Sequence, residues 1–153
     1  HVGVLFLDKN KEWTVTESAV PFVRHTPLKK FIDRSDKGWY YIRRLTPALS
    51  SNDIKLLKRE SDKHMGKLYR FGFKYESKRQ FCSKFVFDIY KNALDVEVGQ
   101  LQTLKELFSR LPNTSLTFWR MWFFGFIPWN RVTVTPASLM NSPNLHTIGG
   151  YDD

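Results

Sequence analysis

Cys82 is the lone cysteine of the chain, and it stands at the head of an apolar-periodic stretch, Arg79-Gln80-Phe81-Cys82-Ser83-Lys84-Phe85-Val86-Phe87-Asp88-Ile89-Tyr90. At a helix start, unpaired backbone N–H groups and the positive end of the helix dipole favour a thiolate over a thiol. Lys78, Arg79 and Lys84 add positive potential nearby. The N–H of Cys82 is itself a candidate donor to an oxyanion in acyl transfer. Such a nucleophile needs a base, and His1 heads a strand-like run, His1-Val2-Gly3-Val4-Leu5-Phe6. Free cysteine is also among the most buried residue types, so spacing alone leaves Cys82 open to a core reading.

A hairpin would give His1 a carboxylate partner. Asp8-Lys9-Asn10 separates the first run from a second β-rich one, Trp13-Thr14-Val15-Thr16-Glu17-Ser18-Ala19-Val20. With those three residues as the loop, Leu5 faces Trp13, Gly3 faces Val15 and His1 faces Glu17. A slip of one residue would set Leu5 against Thr14, a poorer apolar match. Opposed residues share a face of the sheet, so Glu17 could hold the imidazole in one tautomer, as the third member of a triad does. His25, His64 and His146 read as surface residues. No two histidines are spaced as metal ligands, and one cysteine does not complete a usual zinc site; no metal or cofactor is expected.

The elements needed to carry these groups form a mixed set. Thr26-Pro27 is expected to cap a short helix reaching Ile32, and Trp39 to Leu45 reads as a strand. A helix is expected after Ser51-Asn52 with Ile54, Leu57 and Met65 inward, then an extended Phe71 to Tyr75. The Cys82 helix would bury Phe81, Phe85, Val86, Ile89, Tyr90 and Ala93. A further helix carries Leu101, Leu104, Leu107, Phe108 and Leu111 inward and stops at Pro112-Asn113. Leu116 to Trp129 is the most hydrophobic stretch, too short for a membrane span and broken by Arg120, Gly125 and Pro128. It reads as core or as a substrate-facing surface. A strand over Arg131 to Thr135 and a turn of helix over Pro136 to Met140 follow. The class is α+β, in one domain over 1–153.

Composition narrows the partners. The formal charge of +9 attracts anions without specificity, but no basic block interleaves with aromatics as a stacking platform would, so no specific nucleic acid is expected. No transmembrane segment is present, while peripheral membrane contact fits the basic, aromatic composition. A single cysteine suits a reducing, cytoplasmic setting. Because the chain opens in mid-strand, an upstream strand is expected.

His1-Val2-Gly3-Val4, Glu17-Ser18-Ala19-Val20-Pro21 and Phe81-Cys82-Ser83-Lys84-Phe85-Val86 together resemble the permuted papain-like cysteine hydrolases of the NlpC superfamily, the YiiX/YebB-like group. Phe73 to Tyr90 and Val132 to Leu139 draw the resemblance toward its YebB-like branch. It implies a circularly permuted papain-like fold, with a small antiparallel sheet packed on the Cys-bearing helix and further helices around it. It implies Cys82 as nucleophile, His1 as base and Glu17 as orienting residue, acting on amide bonds of peptides or cell-wall-related substrates. Relatives of this architecture also handle lipid esters and acyl transfer. The rival expectation is a non-catalytic basic and aromatic module for anionic ligands or membranes.

Overall fold

The computed structural model of the chain describes residues 1–111 and 115–151. Among these, β1 (Val4–Leu7), β2 (Trp13–Ser18) and β3 (Val23–Pro27) form an antiparallel sheet in the order β1-β2-β3. The hairpin exists, but its register is offset by two from the expected one: Leu5 pairs with Val15 and Leu7 with Trp13. The loop is longer than Asp8-Lys9-Asn10 because the Asp8 carboxylate accepts from the N–H groups of both Asn10 and Glu12, at 2.8 and 2.9 Å. Lys11 takes the left-handed conformation needed to close it, at φ 62°. A slip of two preserves which face each side chain occupies. His1 and Glu17 therefore still meet, as diagonal rather than directly opposed neighbours.

β3 takes the two residues, Thr26 and Pro27, that were expected to cap and open a helix. Thr26 lies in the strand opposite Val15, and only α1 (Leu28–Ile32) is helical, with no side-chain cap. His25, expected at the surface just before a helix cap, is an exposed strand residue whose Nδ1 lies 2.9 Å from the Thr16 hydroxyl. A 3₁₀ turn (Asp36–Gly38) leads into β4 (Tyr41–Leu45), which pairs with β7 (Leu145–Gly150) at the other end of the chain. α2 (Ser51–Asp62) starts at Ser50 with a reciprocal capping box to Asp53. It buries Leu57 while leaving Ile54 exposed, and Met65 falls beyond its end.

α3 (Cys82–Leu94) is the central element. Every residue from Cys82 to Ile89 is buried, so its first two turns are enclosed all round instead of amphipathic. Phe85, Val86, Phe87 and Ile89 belong to a core shared with Val4, Phe6, Val23 and Leu57. The enclosed charges Lys84 and Asp88 pair with each other along the helix. Lys84 also lies over the Tyr75 ring, 5.0 Å from its centre. It is thus committed to its own helix, and not to the thiol as its sequence position suggested. The Ser83 hydroxyl donates to the Val134 carbonyl at 2.7 Å and fixes the helix start against the C-terminal part.

The rest departs further from expectation. Phe71 to Tyr75 forms turns, not a strand. β5 (Gln102–Thr103) precedes a shortened helix, α4 (Leu104–Ser109), which buries Leu104 and Phe108 but leaves Leu101 and Leu111 exposed. Pro112-Asn113, read as its stop, lies outside the described residues. α5 (Leu116–Trp122) follows, and the strand expected over Arg131 to Thr135 shrinks to β6 (Val132–Thr133), paired with β5. α6 (Pro136–Met140) is capped by Thr135 with Pro136 in its first turn. A second, smaller core gathers Leu104, Phe108 and Ile127. His64, expected at the surface, is buried, with Nδ1 3.0 Å from the Gln80 amide. Burial and the Lys67 charge hold its pKa below the ordinary value.

Candidate active site

Cys82 is the first residue of α3, so its N–H and those of the next residues have no carbonyl one turn back. Phe81 precedes it in extended conformation, φ −131° and ψ 163°, and makes no side-chain cap. That leaves the helix N-terminus to the thiol. The N–H groups of Ser83 and Val2 both point at its sulfur. Burial raises the thiol pKa, but the hydrogen bond and charge of His1, with those two N–H groups, outweigh it and bring the pKa below the ordinary value.

His1 Nε2 lies 2.5 Å from Glu17 Oε2, which leaves Nδ1 as the ring nitrogen free for the thiol. Burial lowers the imidazole pKa, yet the hydrogen bonds to Cys82 and Glu17 override it and raise the pKa to about 9. The ring rests against Phe31 of α1, 5.6 Å between centres. Gly3 permits this placement. A Cβ there would come within 2.5 Å of Val15 Cγ1 and 2.9 Å of the Thr16 carbonyl oxygen.

Glu17 is fully buried and fully engaged. Oε1 accepts from the Thr26 hydroxyl at 2.6 Å and from Arg34 Nη2 at 2.7 Å. Arg24 Nε stands 3.8 Å away. Burial favours the neutral acid, but the bonds from His1, Thr26 and Arg34 prevail and hold the carboxyl at about 2. The structure thus brings His1 to both Cys82 and Glu17.

Thr26 enters the sequence reading only as a helix cap, and Arg34 and Tyr69 have no place in it. Tyr69 lies beside Cys82; burial, then the thiolate charge and its interaction with the sulfur, push its phenol up to about 12, so it remains a donor. It is set there by a parallel bridge to Gln80, with the Arg70 N–H donating to the Gln80 carbonyl at 2.7 Å. Recognising β3 as a strand would have aligned Thr26 with Val15 and Arg24 with Glu17. No local pattern points to Arg34 or Tyr69.

A sheet that offers a histidine and its carboxylate to a thiol at the start of a buried helix defines a papain-like thiol site, whatever the chain order of the three groups. Residues 1–149 match the family of permuted papain-like amidases YaeF/YiiX, C92, and the chain belongs to that family. It is 34% identical over 148 residues to the uncharacterized protein YiiX of Escherichia coli (strain K12), covering 97% of this chain and 72% of that one. The crystal structure of the metalloprotein YiiX from Escherichia coli O157:H7 (DUF1105) superposes with a TM-score of 0.88 at 34% identity, covering 99% of this chain and 82% of that one. Metal ligation is a property of that protein. In this chain, among the described residues, no three His, Cys, Asp or Glu are grouped so as to hold a metal ion, and at the thiol site the Glu17 oxygens are taken by His1, Thr26 and Arg34.

Proposed function

We propose that the chain is a cysteine amidase or peptidase acting through Cys82, His1 and Glu17 on peptide or other small acyl-bearing substrates. The reading rests on one observation above others: the His1 ring is bonded to the buried Glu17 carboxylate and stands by the Cys82 thiol at the start of the buried helix, lowering its pKa. Raising one pKa and lowering the other favours a thiolate–imidazolium pair at neutral pH. The thiolate adds to the carbonyl carbon, and the Cys82 N–H and Tyr69 hydroxyl receive the negative oxygen. The imidazolium passes its proton to the departing amine as the C–N bond breaks, leaving a thioester. Water then gives a proton to His1 as its oxygen adds to the thioester, and the C–S bond breaks to release the acid and restore the thiolate–imidazolium pair.

Alkylation by iodoacetamide across pH tests the pair. Wild-type Cys82 is expected to react well below the free-thiol pKa of about 8.5, and His1→Ala to shift that reactivity upward. Alkylation only above that value, indifferent to His1→Ala, would overturn the reading. Hydrolysis is expected to decline as pH rises through about 9, where His1 loses its proton.

A further inference from the structure

The apolar stretch Leu116 to Trp129 forms only a small core and turns most of its bulk outward. Trp119, Phe123 and Ile127 pack on Leu104 and Phe108. In contrast, Phe124 is 99% exposed, Phe126 89% and Met121 77%, with Phe118 and Trp122 also exposed. Phe124 and Gly125 both take left-handed conformations, φ 55° and 94°, just past the end of α5. For phenylalanine that conformation is unfavourable, and at full exposure no packing within the fold offsets it. Two phenylalanines are thus held out in solvent at the tip of a short turn, exposed apolar bulk of a kind that marks an interaction site.

The surrounding charge selects the partner. From Leu104 to Arg131 the chain carries Lys105, Arg110, Arg120 and Arg131 against Glu106 as the one acid. The Lys105 N–H donates to the Trp129 carbonyl at 2.9 Å, so this lysine flanks the turn directly. Aromatic rings set among cations match the boundary between acyl chains and anionic headgroups. We infer that the turn over residues 121–129 seats the protein on an anionic lipid surface, Phe124 and Phe126 entering the acyl region and the cations meeting the headgroups. A relay of contacts runs from this seat toward the thiol site. Arg131 lies over the Phe123 ring at 5.0 Å and donates to the Gly72 carbonyl at 2.8 Å. Beside Gly72, the exposed Phe71 meets Tyr69 with 5.2 Å between ring centres, and Tyr69 adjoins Cys82. The inference does not depend on catalysis.

Co-sedimentation of the purified chain with vesicles tests it, comparing phosphatidylglycerol–phosphatidylcholine mixtures with phosphatidylcholine alone. Wild type is expected to partition preferentially onto the anionic vesicles, and Phe124→Ser with Phe126→Ser to lower that partition by about tenfold or more. The Cys82 alkylation rate of the double variant, expected to be unchanged, reports an intact fold. Absence of wild-type binding, equal partition of wild type and variant, or equal binding to both vesicle types would overturn the inference. So would a wild-type dimer in light scattering that the double substitution dissolves, which would give the patch to a second copy of the chain.

Discussion

Phe81, Phe85 and Phe87 are 2% exposed or less, whereas Phe118, Phe124 and Phe126 stand largely in solvent, although both sets flank or lie within short helices dense in aromatic residues. The difference is what lies around each helix. α3 is enclosed by β2, α2 and α6, and even its charged residues are buried as a pair. α5 packs through Trp119 onto the small core of Leu104, Phe108 and Ile127. The first region uses aromatic bulk to hold a helix N-terminus still for a thiol. The second spends no bulk on the fold at its tip.

Three substitutions would break or sharpen this contrast. Cys82→Ala should abolish hydrolysis, by about 10³-fold or more, while the unfolding midpoint in denaturant stays close to wild type. Phe85→Ala, by emptying the enclosed core, should destabilise the fold by about 3–5 kcal/mol in urea titration. Phe124→Ala should stay within about 0.5 kcal/mol in the same measurement. A comparable loss at both sites would erase the distinction.

Glu17→Gln should lower kcat by roughly 10²-fold and also alter acid stability. The folded carboxyl sits at about 2 against an ordinary 4.5, so its stabilisation is complete above the ordinary value and is lost as pH falls through about 2. Acid titration of the variant, followed by circular dichroism, should show a weaker dependence over that range. Tyr69→Phe carries the smallest effect on turnover. Loss of one oxyanion donor predicts a fall of about tenfold or more in kcat with KM nearly constant; an unchanged kcat would leave Tyr69 a packing residue.

Local chemistry made the centre of the site legible. A lone thiol before an apolar-periodic run marked the start of α3, and alternation in two β-rich runs set His1 and Glu17 on one face. Because a two-residue slip keeps that face, the contact survived an incorrect loop length. Long-range pairing was not legible. β7, with His146, Thr147 and two glycines, carries little strand signal, yet it pairs with β4 from the far end of the chain. Pro27 read as a helix start because nothing local shows that Thr26 donates to Glu17. The outward turn at Phe124 was equally hidden, since apolar composition does not state which side has neighbours.

Gly3 carries a consequence out of proportion to its size. No titratable atom belongs to it, and it lies two residues from the base, yet any larger residue would push the first strand off Val15 and Thr16. The imidazole would travel with the strand, away from both of its partners, and small misplacements of reacting groups are severe for turnover. A saturation library at this position, selected for turnover, should therefore return glycine almost alone, while the same library selected for folding should return several residues. The accuracy of the site is written in a missing carbon.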